Sequence, residues 1–164
     1  MYRRILVGTD NSVESTTTVE FAARLAHDVG AHLHVAATHR TYHATSHSMS
    51  CFDGLTSIRE AGEATAMESH RVHLEQLAQR LRRRGIDVST HVVAGSPAHR
   101  LGDLATDLGA DLVIISGTKR LRGRRGRRRQ FGNVAASVVR TAMVPVLVVP
   151  TTWSTASGTA GLVL

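Results

Sequence analysis

The sequence predicts an α/β protein with a doubly wound, mostly parallel five-stranded sheet and helices on both faces, a three-layer arrangement. Short apolar runs of strand length alternate along the chain with longer segments in which apolar residues recur at helical spacing. The strongest run, residues 111–117, contains four consecutive aliphatic residues before a glycine, which is typical of a strand buried on both faces. Alternation of this kind predicts parallel strands joined by right-handed helical crossovers, as in Rossmann-like folds.

Length and composition indicate one folded domain. A chain of 164 residues, with 42% hydrophobic and 20% charged residues, can bury a single packed core. No apolar stretch approaches the roughly 18 residues that a membrane span needs, and the apolar segment after Arg4 is too short for a secretory signal. We therefore expect no membrane insertion and a cytoplasmic location. Cys51 is the only cysteine, so an intrachain disulfide cannot form.

The first half of the chain begins with a strand, a helix and a second strand. Residues 4–10 form a short apolar run closed by turn-forming residues, which predicts a first strand at the centre of the sheet. Hydroxyl residues between 12 and 16 can cap the helix that follows, and Gly30 ends it. Residues 31–37 then alternate and turn apolar, which predicts the second strand.

A histidine-bearing segment follows the second strand. Residues 40 to about 57 are rich in Ser, Thr and His without a sustained period, which predicts a long surface loop. His39, His43, His47 and Cys51 recur every four residues, and on a helix they would align as a zinc or nickel site. The residues between them form no helical apolar face, so we predict a polar loop and no metal site.

The second half repeats the alternation. A long helix ends at Gly85, and residues 86–93 predict the third strand. Ser96 and Pro97 suit the N-cap and the first position of the next helix. After the fourth strand and a further helix, residues 144–150 predict a last strand, and the prolines near its two ends favour a place at the sheet edge.

Domain limits and a place for ligands follow from this order. We expect residues 1–150 to form the domain and residues 151–164, rich in Thr, Ser and Gly, to form a flexible C-terminal tail. In doubly wound sheets, ligands bind beyond the carboxyl ends of the strands where the strand order reverses. This rule places Thr9 and Asp10, after the first strand, beside Gly117, after the fourth.

Positive charge is concentrated in one segment. The net charge is +7, and residues 119–129 alone contain eight cationic side chains, so the rest of the chain is close to neutral. A local basic segment of this kind indicates an anionic partner at one place. Only Phe131 could supply an aromatic contact there, and no standard RNA or DNA motif is present, so sequence-specific nucleic-acid binding is not expected. Salt-sensitive, non-specific binding stays open.

Three segments of the sequence carry a family resemblance. Residues 4–12 (RILVGTDNS), residues 95–97 (GSP), and residues 111–117 together with 144–149 occur in order and at close to the family spacing. Together they resemble the universal stress protein family over residues 1–150. The resemblance implies a five-stranded sheet and a homodimer, commonly formed through the last strand. In one branch of the family it also implies ATP held between the ends of the first and fourth strands.

The resemblance also supplies candidate nucleotide contacts. In that branch an Asp after the first strand and a Val in the second contact the nucleoside, and these positions match Asp10 and Val35. The phosphates lie on a loop of pattern Gly-x2-Gly-x9-Gly-[Ser/Thr]. Gly117 matches the first glycine, but Arg120 stands at the second position. The closing pair is Gly132-Asn133, two residues later than the pattern places it.

Both outcomes for the altered loop stay open. The helix that begins near Asn133 offers free amides and a favourable dipole to an anion, and arginines can pair with phosphate in place of the glycine amides. Alternatively, Arg120 fills the space that the phosphates need. The candidate cofactor is ATP or a related adenine nucleotide. The candidate binding residues are Thr9, Asp10, Val35, Gly117, Arg120, Gly132, Asn133 and Val134.

Three functions are compatible with these features. The first is a universal stress protein that binds an adenine nucleotide. The second is a nucleotide-free dimer whose basic segment docks an acidic protein or nucleic acid. The third is an ATPase or a self-phosphorylating protein. Its catalysis would be slow, because no nucleophile, base and orienting group occur together in the sequence. Asp10 also has a purely structural reading as a turn cap, and Gly117 as a tight turn.

Overall fold

The computed structural model describes residues 1–39, 53–120, 129–131 and 133–150. Within these ranges the chain forms one five-stranded parallel sheet, a short two-stranded antiparallel pair and four helices. In chain order, the elements are β1 (Arg4–Thr9), α1 (Val13–Val29), β2 (His32–His39), α2 (Asp53–Arg82), β3 (Val88–Ala94), α3 (Pro97–Asp107), β4 (Leu112–Ser116), β5 (Thr118–Arg120), β6 (Arg129–Phe131), α4 (Asn133–Thr141) and β7 (Val146–Val149).

The strand order of the large sheet is β3-β2-β1-β4-β7, and all four pairings are parallel. The chain first builds outward from β1 to β2 and β3, and then crosses back to build β4 and β7 on the other side. Val7 is therefore paired with Val35 on one side and with Ile114 on the other. The order confirms the predicted doubly wound sheet, with β1 at its centre and the last strand at its edge.

Helices cover both faces of the sheet, which confirms the predicted three layers. Alternate residues of each strand point to opposite faces, so Ile5 and Val7 pack in a core beneath α1 and α2. Leu6 points the other way and packs in a second core with residues of α3 and α4. The side chains of Ile5, Leu6 and Val7 are fully buried, so β1 contributes to both cores.

Two predicted helix ends depend on glycine. Gly30 adopts the left-handed conformation after α1 (φ 67°), and Ala31 donates its backbone N–H to the carbonyl of Ala26 at 2.8 Å. Gly85 does the same after α2 (φ 78°), following the cationic end of that helix. A residue with a Cβ atom is strained in this conformation, which is why the two helices end where the sequence predicts.

Three sequence-based expectations need correction. The surface loop predicted to reach residue 57 is wrong over 53–57, because α2 already begins at Asp53; residues 40–52, with His43, His47 and Cys51, lie outside the described residues. The basic segment is not a plain loop, because β5 and β6 pair antiparallel at its ends. Ser96 stands at the N-cap of α3, but its side chain makes no capping hydrogen bond.

Candidate functional site

A cavity of about 400 Å³ opens at the carboxyl ends of the central strands. It lies where β1 is flanked by β2 on one side and β4 on the other, which is the reversal point of the strand order. Three strands, the turn after β1 and the first turns of three helices form its wall. Its lining residues are Gly8, Thr9, Asp10, Ser12, Ser15, Ala36, Thr38, Pro97, Leu101, Ile115, Ser116 and Val134.

The turn between β1 and α1 is held by a network of hydroxyl groups. The Ser15 hydroxyl donates to the carbonyl of Ser12 at 2.9 Å, so its oxygen is left to accept the Thr9 hydroxyl, also at 2.9 Å. Thr9 in turn accepts the backbone N–H of Asn11 at 3.1 Å. Ser12 caps α1 by accepting the backbone N–H of Ser15 at 3.1 Å. The network fixes the path of the chain along one wall of the cavity.

Asp10 is the charged group of the cavity wall. Its Oδ1 accepts the backbone N–H of Ser12 at 3.0 Å. Partial burial by itself raises the pKa of the Asp10 carboxyl, but the hydroxyl and the amide of Ser12, with a smaller contribution from Ser15, outweigh it and lower the pKa below its ordinary value. Asp10 is therefore a carboxylate at neutral pH. It remains exposed and can accept hydrogen bonds from a ligand's hydroxyl or amino groups.

Three helices begin at this cavity. Ser12 is the N-cap of α1, Pro97 is the first residue of α3 and Val134 is the second residue of α4, and all three line the wall. The N-terminus of a helix carries unpaired amides and the positive end of the helix dipole. Their convergence makes the electrostatic potential of the cavity favourable to an anion. The negative charge of the Asp10 carboxylate acts against this effect.

Packing alone requires the glycine after β4. A Cβ atom at Gly117 would lie 2.6 Å from Cγ1 of Val148 and 3.3 Å from the carbonyl oxygen of Val149. The Gly117 N–H also donates to that carbonyl at 2.8 Å, which holds the start of the basic segment against β7. The structural reading of Gly117 as a packing residue is therefore sufficient to explain why this position is a glycine.

The structure brings some of the predicted site residues together and separates others. Thr9, Asp10 and Val134 line the cavity. Val35 is fully buried in the core on the α1 side, and β2 contributes Ala36 to the wall instead. Only the main chain of Val35 is left to contact a nucleoside, and that contact stays a prediction. Gly117 follows a cavity residue directly but does not line the cavity itself.

The remaining candidates belong to the phosphate-loop pattern. Asn133 begins α4 next to the cavity and is exposed, and it does not line the wall. The main chain of Arg120 belongs to β5, where it is paired with Arg129 of β6. Gly132 lies outside the described residues. Their predicted contacts with phosphate stay predictions.

Several lining residues were not among the sequence-based candidates. Thr38 is the last residue but one of β2 and Ser116 is the last residue of β4, while Leu101 reaches the cavity from the apolar face of α3. Strand ends could have been found from the sequence, because each lies at the end of an apolar run. The orientation of Leu101 toward the cavity could not have been found from the sequence, because a core-facing leucine and a cavity-facing leucine have the same helical spacing.

Comparison with known proteins places the chain in a family. The sequence profile of the universal stress protein family matches residues 1–150. The chain belongs to the universal stress protein family. Among related proteins, universal stress protein Rv1636 of Mycobacterium tuberculosis (strain ATCC 25618 / H37Rv) is 30% identical over 154 residues, covering 92% of this chain and 98% of that protein. The family resemblance predicted from the sequence is confirmed.

Solved structures of universal stress proteins share the fold. UspA from Lactobacillus plantarum superposes with a TM-score of 0.72 at 20% identity, covering 90% of this chain and 97% of that one. A universal stress protein crystallised in complex with cAMP is 26% identical, with a TM-score of 0.61, and the match covers 92% of this chain and 98% of that one. The predicted fold class is thereby confirmed a second time.

Over the described ranges, no group of three or more His, Cys, Asp or Glu side chains is arranged to hold a metal ion. In the same part of the chain, no helix combines the length and the apolar character needed to cross a membrane.

Proposed function

We propose that this universal stress protein binds ATP or a related adenine nucleotide in the cavity between the ends of β1, β2 and β4. The observation that carries the proposal is the combination, in one cavity, of an ionised Asp10 with the first turns of three helices. A nucleotide presents both matching groups: hydroxyl and amino donors for a carboxylate, and an anionic phosphate for helix N-termini. The relative crystallised with cAMP supports the same ligand class.

The remaining wall suits a flat, partly apolar group. Ala36, Leu101 and Ile115 present aliphatic side chains to the cavity, from β2, α3 and β4 respectively. Small-molecule sites are mostly apolar with a few placed polar groups, and a purine ring fits that description. The cavity of about 400 Å³ is also within the range typical of such sites.

The test is calorimetric titration of the purified protein with ATP, AMP and cyclic AMP at two salt concentrations, after absorbance has shown whether a nucleotide copurifies. We expect saturable binding of at least one of them, weakened about 10-fold or more by Asp10→Ala, since a hydrogen bond to a charged group contributes roughly 1.5–3 kcal/mol. Asp103→Ala, which removes an exposed carboxylate on α3, is the matched control and should bind normally. No heat with any of the three nucleotides contradicts the proposal.

A second candidate function is docking of an acidic partner by the basic segment. The concentration of eight cationic residues in 119–129 favours it, as does the hairpin register that pairs Arg120 with Arg129. Replacing Arg124, Arg125, Arg127 and Arg128 by glutamine should then reduce affinity for an acidic protein or for nucleic acid and flatten its salt dependence. Affinity that is independent of both salt and these replacements excludes this function. Phosphate release from ATP that Asp10→Ala abolishes would indicate the third, slow ATPase function.

We propose further that the protein forms a homodimer through β7. This strand ends the sheet, and next to it Met143 is 90% exposed and Val139 is 51% exposed. An unpaired strand edge beside exposed apolar side chains favours pairing with a second copy of the chain. Sedimentation should give a dimer that Met143→Glu weakens and Val72→Glu, at an exposed position of α2, does not. A monomeric wild-type protein contradicts the proposal, and the cytoplasmic location stays a prediction.

A further inference from the structure

The five hydroxyl side chains that line the cavity fall into two groups. Those of Thr9, Ser12 and Ser15 are engaged in the network that holds the β1–α1 turn. Among the residues that the structure describes, the hydroxyls of Thr38 and Ser116 make no hydrogen bond with the protein. Both side chains are only partly buried, so they face the cavity without being sealed inside the core.

The two unengaged hydroxyls lie on the two strands that flank β1. Thr38 lies near the end of β2 and Ser116 is the last residue of β4. The register pairs Thr9 with Ala37, so Thr38 lies level with the turn that begins at Asp10. Val7 is paired with Ile114, so Ser116 lies level with Thr9. Two strand spacings of about 4.8 Å each separate β2 from β4, so the two residues lie on either side of the end of β1 at roughly the width of a nucleoside.

We propose that Thr38 and Ser116 are the two side-chain hydroxyls that bind the ligand, one on each side of Asp10. The inference rests on the proposed nucleotide binding and adds two residues to it. A hydroxyl can donate one hydrogen bond and accept others, whereas the Asp10 carboxylate can only accept. Among the side chains of the described cavity wall, Thr38 and Ser116 are therefore the uncommitted groups that can donate to a ring nitrogen, a ribose oxygen or a phosphate oxygen.

The surroundings assign the two hydroxyls to different parts of the ligand. Ser116 is the last residue of β4 and is followed directly by Gly117 and the start of the basic segment at β5. Ser116 therefore binds at the phosphate end. Thr38 lies on the β2 side, on the same face as Ala36 and across β1 from the strand that ends at Ser116. Thr38 therefore binds at the nucleoside end.

The assignment is tested by titrating adenosine and AMP into Thr38→Val and Ser116→Ala. Thr38→Val keeps the side-chain shape and exchanges the hydroxyl for a methyl group, and Ser116→Ala removes the hydroxyl. Thr38→Val should weaken adenosine and AMP alike, by about 2- to 10-fold, which is the usual net worth of one neutral hydrogen bond. Ser116→Ala should weaken AMP by a similar factor and leave adenosine unchanged within about 2-fold.

Matched controls separate this inference from general damage and from the proposed function itself. Thr106→Val and Ser69→Ala remove exposed hydroxyls from α3 and α2, and both should bind like the wild type. Unchanged thermal unfolding verifies that Thr38→Val and Ser116→Ala are folded. If the wild type binds and both variants bind equally well, the assignment of the hydroxyls is wrong while nucleotide binding stands. If the wild type binds no adenine compound, both proposals are wrong.

Discussion

The hydroxyl of Thr9, at the end of β1, lies 2.9 Å from the hydroxyl of Ser15, in the first turn of α1. Both residues are buried, with 8% and 3% of their surface exposed. The bond joins the central strand directly to the helix that follows it, and the turn with Asp10 and Ser12 lies between its two ends. Positioning of the charged cavity residue thus depends on a hydrogen bond between two neutral side chains.

Removal of this link should cost stability. In Ser15→Ala, the Thr9 hydroxyl loses its acceptor and the Ser12 carbonyl loses one donor, in a region with little access to water. We expect the free energy of unfolding to fall by about 1–3 kcal/mol, the penalty for a buried polar group left without its partner. Denaturation in urea measures the change. Thr16→Ala is the control, because its exposed hydroxyl bonds only to the Ser12 carbonyl; an equal loss in both variants would contradict the argument.

Gly117→Ala should destabilise the protein by about 1–3 kcal/mol, because the new methyl group overlaps Cγ1 of Val148 in β7. Combining it with Val148→Ala removes the overlap and should recover part of the loss, measured as a coupling energy in a double-mutant cycle. Gly102→Ala is the matched control. That glycine lies inside α3 with open space around it, so alanine should stabilise the helix by roughly 0.5–1 kcal/mol. Additive effects at positions 117 and 148 would contradict the packing reading.

Stability should fall in mild acid because of His34. Its Nδ1 lies 3.1 Å from Nε2 of His91, and its ring centre lies 4.5 Å from that of His32. Burial first, then the nearby positive groups His32, His91 and Arg4, lower the pKa of His34 to about 4 from its ordinary value of 6.5, against a weaker opposing effect of Asp87. The neutral form is therefore the one that the folded protein favours.

The sign of the effect follows from proton uptake. Between pH 6.5 and about 4 the unfolded chain binds a proton at His34 that the folded chain does not, so the free energy of unfolding decreases as the pH falls through this window. The loss should be on the order of 2 kcal/mol. Urea denaturation at several pH values measures it. His34→Asn should flatten the pH dependence, whereas His27→Asn, on the exposed face of α1, should leave it unchanged; equal slopes in all three proteins would refute the cause.

The two edges of the sheet should differ in their tendency to pair. Asp87 presents its carbonyl to Leu33 of β2, so by alternation Val88 and Ala94 present theirs outward from β3. Arginine side chains bind both outward carbonyls: Arg82 donates to Val88 at 3.1 Å, and Arg100 donates to Ala94 at 2.7 Å. Occupied carbonyls and two cations make this edge a poor template for another strand.

Replacing Arg82 and Arg100 together by alanine should therefore open the β3 edge. We expect larger oligomers than those of the wild type in sedimentation velocity runs, with the excess rising with protein concentration. Arg80→Ala combined with Arg83→Ala is the matched control, since it removes the same charge from the end of α2 without touching β3. An identical size distribution for both double variants would show that the two arginines do not protect the edge.

The fold was predictable because its signals are local and strong. The apolar run at 111–117 admits few structures other than a buried strand, and Gly30 and Gly85 end helices for reasons that their own conformations explain. The sequence pattern gave a wrong prediction where a loop and a helix can have the same composition. The residues after 52 show no apolar helical face in the sequence, yet α2 begins at Asp53. Extending a helix that has already formed is much easier than starting one, so the first residues of α2 do not need an apolar face of their own.

The cavity could be located from the sequence, but its contacts could not be assigned. Strand order follows from alternation and handedness, so the meeting of Asp10 with the end of β4 was available in advance. The direction of each strand residue was not, because a shift of one position moves a side chain to the opposite face. Val35 is a candidate because of its family position, but the register points its side chain toward the core. Ala36 and Thr38 line the cavity instead.

Short apolar runs and their spacing predicted the order of the main strands and helices and the central place of β1. The family was predicted separately, from the resemblance of residues 4–12, 95–97, 111–117 and 144–149 to family segments. Which hydroxyl groups form hydrogen bonds within the protein, and which remain available to a ligand, depends on the tertiary structure. Thr9 and Ser15 pair because the helix returns over the strand, while Thr38 and Ser116 stay without a protein partner in the described wall because they lie near the ends of the two strands that flank β1, at an open cavity. Such pairing depends on how strands and helices pack against one another in three dimensions, which no local sequence pattern records.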